Sequence, residues 1–317
     1  MNNKIVIIGV YFGHLPNYFE LWRLSAVKNT SVDFLIITDQ KGIELANNIK
    51  VISMNIDRMK ELASKKLRIS NISLEKPYKC CDYKPVYGLI FEDYIKNYDY
   101  WGHCDFDMIF GNLAYYFEKY DLYSYDKFLA LGHLTLYRNT AEVLNRYKCE
   151  GALVDYRTVF TTDENYAFDE YYGITRIYQK NNYSHFTKRI FSDIASIHKR
   201  YRDIEEYPYD KKAKNYKKQV YYWQDGHVYR KSFIGRKAHI DEYIYIHFKK
   251  RTNFAINFDY KSAKGFYITN SGFYQLIDKP DIHDAEKYNE YNPLEEFCES
   301  IMAGIKRLKR QVSNHRA

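Results

Sequence analysis

Tyr100-Trp101-Gly102-His103-Cys104-Asp105-Phe106-Asp107-Met108-Ile109-Phe110-Gly111-Asn112 sets two carboxylates two residues apart at the end of an apolar run. Alternate side chains share a face of an extended backbone, so Asp105 and Asp107 project the same way where the strand gives out. Their apolar flanks make a bare pair of negative charges costly, which asks for a cation. Hard oxygen donors of this kind suit Mg²⁺ or Mn²⁺, which keep open positions for phosphate oxygens. A surface turn carrying two solvated aspartates is the plain alternative for any short Asp-x-Asp. The strand-terminal setting argues against it, because open α/β sheets bind ligands beyond the carboxyl ends of their strands.

Working outward, the chain before this stretch alternates strand and helix. Residues 5–10 are a continuous apolar run of the kind buried on both faces of a parallel sheet. Residues 15–28 have helical apolar spacing, with Pro16 suited to a first turn. Strands are predicted over 32–38 and 51–54, a helix over 57–67 with Asp57 as N-cap, and a helix over 85–95. A strand over 100–104 is followed by two more over 128–131 and 134–137. With right-handed crossovers this order gives an α/β fold: an open, mostly parallel, Rossmann-like sheet with helices on both faces. Beyond about residue 150 the pattern loosens. A helix is predicted over 190–201, a polar lysine-rich loop over 207–218, and a hairpin over 220–229 turning at Asp225-Gly226. A strand over 243–248 follows, then a C-terminal helix over 293–317. In that helix Ile301, Ile305, Leu308 and Val312 share a face, interleaved with Lys306, Arg307, Lys309 and Arg310.

Composition narrows the classes. The 317 residues are 46% hydrophobic and 28% charged, enough to bury a core and too apolar for a disordered chain. Five cysteines, an odd number, exclude a disulfide-stapled mini-domain and suit a reducing compartment. No stretch approaches the length of an apolar membrane span, and the first residues read as a strand rather than a secretory signal, so a cytoplasmic location is expected. The net charge of +8 points to an anionic partner: nucleic acid, a membrane surface or a phosphorylated small molecule. Among the 35 tyrosines, Tyr18, Tyr87 and Tyr94 fall at core-facing positions, whereas Tyr11, Tyr137 and Tyr166 lie near the acidic site. A nucleic-acid-binding protein with a basic, aromatic surface is the alternative reading. It lacks a helix-turn-helix, zinc or RNA-recognition signature, and the adjacent Cys80-Cys81 cannot form a Cys-x-x-Cys knuckle. A haloacid-dehalogenase-type phosphatase would carry its Asp-x-Asp on the first strand, not at residue 105.

The acidic motif resembles the DxD of GT-A glycosyltransferases. Five further stretches, in order, are similar to a family of bacterial capsule and O-antigen cluster proteins long catalogued as a domain of unknown function and read as glycosyltransferases. They are Tyr11-Phe12-Gly13-His14-Leu15-Pro16-Asn17-Tyr18-Phe19, Cys81-Asp82-Tyr83-Lys84-Pro85-Val86-Tyr87-Gly88, Gly132-His133-Leu134-Thr135-Leu136-Tyr137-Arg138-Asn139, Asn165-Tyr166-Ala167-Phe168-Asp169-Glu170 and Tyr245-Ile246-His247-Phe248-Lys249-Lys250-Arg251. The resemblance runs from about residue 4 to residue 251 and leaves the last 60 or so residues unmatched. It implies a catalytic domain over 1–255, with a nucleotide-binding half (1–112) and an acceptor and metal-completing half (113–255), then an extension over 256–317.

The resemblance also implies roles. Asp105 and Asp107 match the metal and donor-ribose carboxylates, with Asp107 preferred as the direct ligand, and His247 completes a Mn²⁺ (or Mg²⁺) shell. Gly9, Val10 and Tyr11, with Thr38 and Asp39, correspond to the nucleoside-contacting strand ends. Asp82 and Lys84, Phe106, Gly132 and His133 flank the donor, and Lys249, Lys250 and Arg251 suit its diphosphate. For Asp82 and Asp39 helix capping and turn chemistry remain open. A core position for His247, a solvated strand end for Lys249, Lys250 and Arg251, a tight turn at Gly132-His133 and a dipole-favoured acidic pair at Asp169-Glu170 are the plain alternatives. Asp169 or Glu170, with Asp169 slightly ahead, would take the acceptor hydroxyl's proton in an inverting transfer. The implied reaction moves a sugar from a nucleotide-sugar, UDP-galactose or UDP-galactofuranose among the candidates, to a glycan or lipid-linked oligosaccharide. The C-terminal helix suggests either peripheral contact with the anionic inner face of the cytoplasmic membrane or a packed cap.

Overall fold

Parity along the first strands organises the core. The computed structural model describes residues 3–210, 213–249 and 254–314. These divide into one unit of residues 1–108 and 112–189 and a second of residues 109–111 and 190–317. The first unit opens with β1 (Ile5–Tyr11), α1 (Phe19–Val27), β2 (Val32–Thr38), β3 (Ile49–Ser53) and α2 (Ile56–Leu67). Three short helices follow, α3 (Cys80–Tyr83), α4 (Tyr87–Ile90) and α5 (Glu92–Ile95), and then β4 (Tyr100–Cys104). Met108 begins β5 (Met108–Phe110), whose last two residues belong to the second unit. The first unit resumes with α6 (Leu113–Lys119), β6 (Lys127–Leu131), β7 (Leu134–Arg138), α7 (Ala141–Asn145), α8 (Tyr156–Thr161), α9 (Arg176–Lys180) and β8 (His185–Phe186).

Its sheet runs β3-β2-β1-β4-β7-β6-β8, with β7 antiparallel to both neighbours and the other pairings parallel. Val6, Ile8, Leu35 and Ile37 pack in one cluster with Met59 of α2 and Tyr87 of α4. From the opposite face, Trp22 of α1 meets Phe34, with ring centroids 5.6 Å apart. Helices therefore cover both faces, and the α/β class with an open, mostly parallel sheet is the observed one.

Several local expectations change. The N-cap of α2 is Asn55, which accepts from Arg58 N at 2.9 Å, while Asp57 sits in the first turn, where its charge complements the helix dipole. The single helix predicted over 85–95 breaks at Phe91 (φ −105°, ψ 22°), in a stretch rich in weak helix formers: Gly88, Ile90, Phe91 and Tyr94. Tyr18 and Tyr87 are buried as expected, but Tyr94 is 45% exposed. Tyr137 is buried against Trp101, centroids 4.7 Å apart, and is a core residue.

The second unit contains β9 (Ser192–Asp193), β10 (Lys218–Gln224), β11 (His227–Ile234), β12 (Lys237–Tyr243), β13 (Tyr245–His247), β14 (Ala255–Ile256), β15 (Gly265–Ile268), β16 (Gly272–Gln275), α10 (Ile282–Tyr288) and α11 (Pro293–Asn314). The β10–β11 hairpin turns at Asp225 and Gly226, both at positive φ (49° and 91°), as the Asp-Gly pair requires. In place of the helix predicted over 190–201 the chain forms β9, parallel to β13, so sheet pairing overrides the helical spacing. The strand predicted over 243–248 is divided at Ile244 between β12 and β13. β10 pairs with both β11 and β15, so one six-stranded sheet spans the boundary expected at 255/256. Among the described residues, no helix is long and apolar enough to cross a membrane.

Candidate functional site

Strand register gathers the acidic motif and its neighbours on one edge of the first unit's sheet. Gly9 pairs with Cys104 and Tyr11 with Thr38, so parallel β1, β2 and β4 end together. Antiparallel β7 starts opposite Cys104, which brings the Gly132-His133 turn beside Asp105. There Asp105 N donates to His133 O at 3.0 Å, and Trp22 Nε1 donates to Asp105 O at 3.1 Å. The strand order reverses across β1, with β2 and β3 on one side and β4 on the other, and that switch point is where such sheets hold ligands.

Asp107 is buried and Asp105 half-buried, and each offers a carboxylate oxygen within 4.8 Å of the other. Asp107 also raises the pKa of the Tyr11 hydroxyl, adding to the larger effect of burial, which locates Tyr11 at the acidic pair. Phe106, between them, faces inward. It is 4% exposed and packs on Tyr11, Phe19 and Trp22 with centroids 4.7–5.6 Å away. A Cβ on Gly9 would stand 2.5 Å from the Phe106 ring, so Gly9 makes room for that anchor. The Phe106 ring is thus turned into the core, where it fixes the turn that carries both aspartates.

Lys84 links the acidic groups. Its Nζ lies 2.7 Å from Asp105 Oδ1 and 2.9 Å from Asp169 Oδ2, and donates to Gly132 O at 3.0 Å. Burial opposes the charge on Lys84, yet Asp105 and Asp169 hold its pKa well above the usual lysine value. Burial raises the pKa of Asp169, and Lys84 counters it. Asp169 and Glu170 immediately precede the segment Tyr171–Thr175, which kinks at Gly173 (φ −94°, ψ −113°). A methyl on Gly132 would stand 2.1 Å from Asp169 Oδ2 and 3.1 Å from Glu170 Oε1, so both carboxylates crowd over that glycine.

Asp82 does not cap a helix. It lies inside α3, fully buried, bonded to Lys79 Nζ at 2.8 Å and accepting from Tyr166 N and Phe168 N. Its carboxylate is occupied in fixing the loop that delivers Asp169. Asp39 is exposed and accepts from Gly13 N at 3.0 Å, tying together the ends of β1 and β2, and Thr38 is buried beside it. Val10 is half-buried. Tyr78 borders the cluster: its side chain is 59% exposed, and partial burial of its hydroxyl, with the charges of Cys81, Asp169 and Asp105, raises its pKa.

His247 and Lys249 belong to the second unit. His247 Nδ1 is 2.8 Å from Asp193 Oδ1, and Lys249 Nζ is 3.4 Å from Asp193 Oδ2. Lys250 and Arg251 lie outside the described residues.

The first unit is thus an α/β sheet with a carboxylate-rich carboxyl edge. The chain belongs to the family described as a family of unknown function, DUF6625, whose model matches residues 7–277. No curated protein matches the sequence. Solved structures it is similar to include mouse xyloside xylosyltransferase 1 in its apo form, at 8% identity and a TM-score of 0.37, covering 61% of this chain and 88% of that one. Another is the galactosyltransferase LgtC in complex with donor and acceptor sugar analogs, at 12% identity and a TM-score of 0.35, covering 59% and 75% respectively.

Proposed function

We propose that the protein is a metal-dependent glycosyltransferase that moves a sugar from a nucleotide-sugar, a UDP-hexose such as UDP-galactose or UDP-galactofuranose, to a glycan acceptor. The observation that carries this reading is the cluster of Asp105, Asp107, Asp169 and Lys84 at the switch point of a parallel sheet. Carboxylates outnumber the ammonium there, and their hard oxygens fit Mn²⁺ or Mg²⁺. Asp105 and Asp107 would hold the ion, and His247 is assigned to the same shell on the family resemblance. When bound, the ion neutralises charge on the departing nucleoside diphosphate.

The chain's own residues do the rest. Tyr11 and the Thr38-Asp39 strand end offer a ring and polar groups to the nucleoside. Lys84, whose ammonium is engaged by Asp105, Asp169 and Gly132 O, would act on the sugar and diphosphate through its charge and by holding those carboxylates in place. Glu170 and Asp169 are the carboxylates available to take the acceptor hydroxyl's proton as the anomeric carbon is attacked from the opposite face, which gives inversion. Lys249, with Lys250 and Arg251, is assigned to the diphosphate. On the family resemblance the acceptor is assigned to bacterial surface polysaccharide, capsule or O-antigen, and α11 would rest peripherally on the cytoplasmic leaflet where a lipid-linked acceptor would reside.

The deciding experiment is a thermal shift with UDP, with and without Mn²⁺ and EDTA, followed by a screen of UDP-sugars for hydrolysis. A Mn²⁺-dependent UDP shift that Asp107→Ala abolishes supports the reading. An unchanged shift in that variant, or a shift with DNA and none with UDP, sinks it.

A further inference from the structure

The second unit carries an acidic residue that no sequence motif singled out. Asp193 and His247 are direct register partners on parallel β9 and β13. Asp193 Oδ1 lies 2.8 Å from His247 Nδ1, and both residues are buried, at 2% and 7% exposure. The other carboxylate oxygen accepts from the Tyr207 hydroxyl and lies 3.4 Å from Lys249 Nζ. Asp193 is itself anchored. Its backbone N donates to Asp203 Oδ1 at 3.1 Å, Ser192 Oγ donates to the same oxygen at 2.6 Å, and Arg230 Nη1 holds Asp203 Oδ2 at 3.0 Å. A two-layer polar network therefore fixes where the Asp193 carboxylate points.

A carboxylate beside Lys249 can only accept, so the hydrogen bond at 2.8 Å requires the proton on His247 Nδ1. A neutral imidazole protonated at Nδ1 carries its lone pair on Nε2. Histidines that ligate metals commonly donate their second ring N–H to a carboxylate in this way, which fixes ring orientation and strengthens the ligand. We propose that Asp193 is the positioning residue that locks His247 in the Nδ1–H tautomer and so makes Nε2 the donor atom for a divalent cation. This rests on the metal-dependent reading above. Lys249 then has a second task, since the cation that neutralises Asp193 also keeps the carboxylate from competing as an unpaired buried charge.

The test measures Mn²⁺ binding to the full-length protein, read from the EPR signal of free Mn²⁺, without any turnover. Wild type, H247A, D193A and the double variant are compared. Loss of about 10–100-fold in affinity is expected for D193A, with no further loss when it is added to H247A. D193N, whose amide oxygen can still accept from Nδ1, is expected to recover part of the affinity. Binding lost in H247A but retained in D193A overturns the inference while leaving the metal reading intact, and so do losses that add in the double variant. No Mn²⁺ binding by wild type overturns both. Imidazole ¹⁵N shifts of the wild-type protein, with His247 identified by H247Q, give a readout independent of how the Asp193 variants fold. A protonated Nδ1 beside an unprotonated Nε2 is expected, and the opposite tautomer refutes the proposal.

Discussion

The ammonium of Lys84 sits 2.9 Å from the carboxylate of Asp169, and both side chains are almost wholly buried. Lys84 comes from the helical segment before β4 and Asp169 from the loop after α8, so this pair joins two distant parts of the chain, and Asp105 completes it at 2.7 Å. Removing one partner of a buried pair leaves the other uncompensated, typically at a cost of about 3–5 kcal/mol. Lys84→Met is therefore expected to lower urea-unfolding stability by roughly that amount and to abolish transfer. Adding Asp169→Asn should restore much of the stability, because the orphaned charge disappears, while activity stays lost. A double variant as unstable as the single one would show that Lys84 does not act through Asp169.

Gly132 tests the same cluster sterically. A methyl there would lie 2.1 Å from Asp169 Oδ2 and 2.6 Å from Asp169 Cγ, and a contact this close forces the carboxylate to move. Displacement of about 1 Å at a reacting group costs on the order of 100-fold in rate. Gly132→Ala should thus cut kcat by about two orders of magnitude, with a loss of stability no larger than that of Lys84→Met, because the displaced carboxylate can still face the ammonium. A variant with unchanged kcat would place Asp169 and Glu170 outside the reaction.

The C-terminal helix separates two roles along its length. Its first turns are tied down: Glu296 pairs with Arg200 and with Arg202 at 3.1 Å, and Glu299 meets His198 at 2.8 Å. Leu294, Phe297, Ile301 and Met302 are nevertheless exposed. Truncation after Ser300 keeps both glutamates and removes the lysines and arginines beyond residue 305. The truncated protein should keep its cooperative unfolding transition yet fail to float with phosphatidylglycerol vesicles that carry the full-length chain. Flotation that survives the truncation rules out membrane contact through this helix.

How much of this was legible beforehand depends on the range of the interactions. Residues 5–10 and 32–38 announce buried parallel strands because nearly every side chain is apolar, and the Asp225-Gly226 turn announces itself by its backbone demand. The acidic pair was readable because both carboxylates lie two residues apart on one strand end. Residues 190–201 misled, since their apolar spacing fits a helix while pairing with β13, more than fifty residues on, decides for a strand. Asp82 looked like a cap or a donor contact, and only the fold shows Lys79, Tyr166 and Phe168 occupying it. Asp193 carries no local signature at all. Its meaning comes from His247, 54 positions later.

Lys127 gives a prediction in pH. It is fully buried on β6, with Nζ donating to Leu129 O at 2.5 Å and to Thr175 Oγ1 at 2.8 Å. Burial pushes its pKa down from 10.5 to about 7, with Glu170 opposing. Below that value the ammonium is protonated in both folded and unfolded chains, and the cost of burying it is fully present. Between the folded value near 7 and the unfolded value near 10.5, only the unfolded chain holds the proton, so stability rises with pH. The slope from this one group approaches about 1.4 kcal/mol per pH unit within the window. Lys127→Met removes the titration but leaves the core volume nearly unchanged. The stability of the variant relative to wild type should therefore fall by on the order of 2 kcal/mol between about pH 6 and about pH 9, measured by urea unfolding at each pH. The lost hydrogen bonds to Leu129 and Thr175 shift both ends of that comparison equally, so the change across pH isolates the charge. A difference that stays flat would mean that Lys127 remains an ammonium in the folded protein, and its cost would then have to be offset by Glu170.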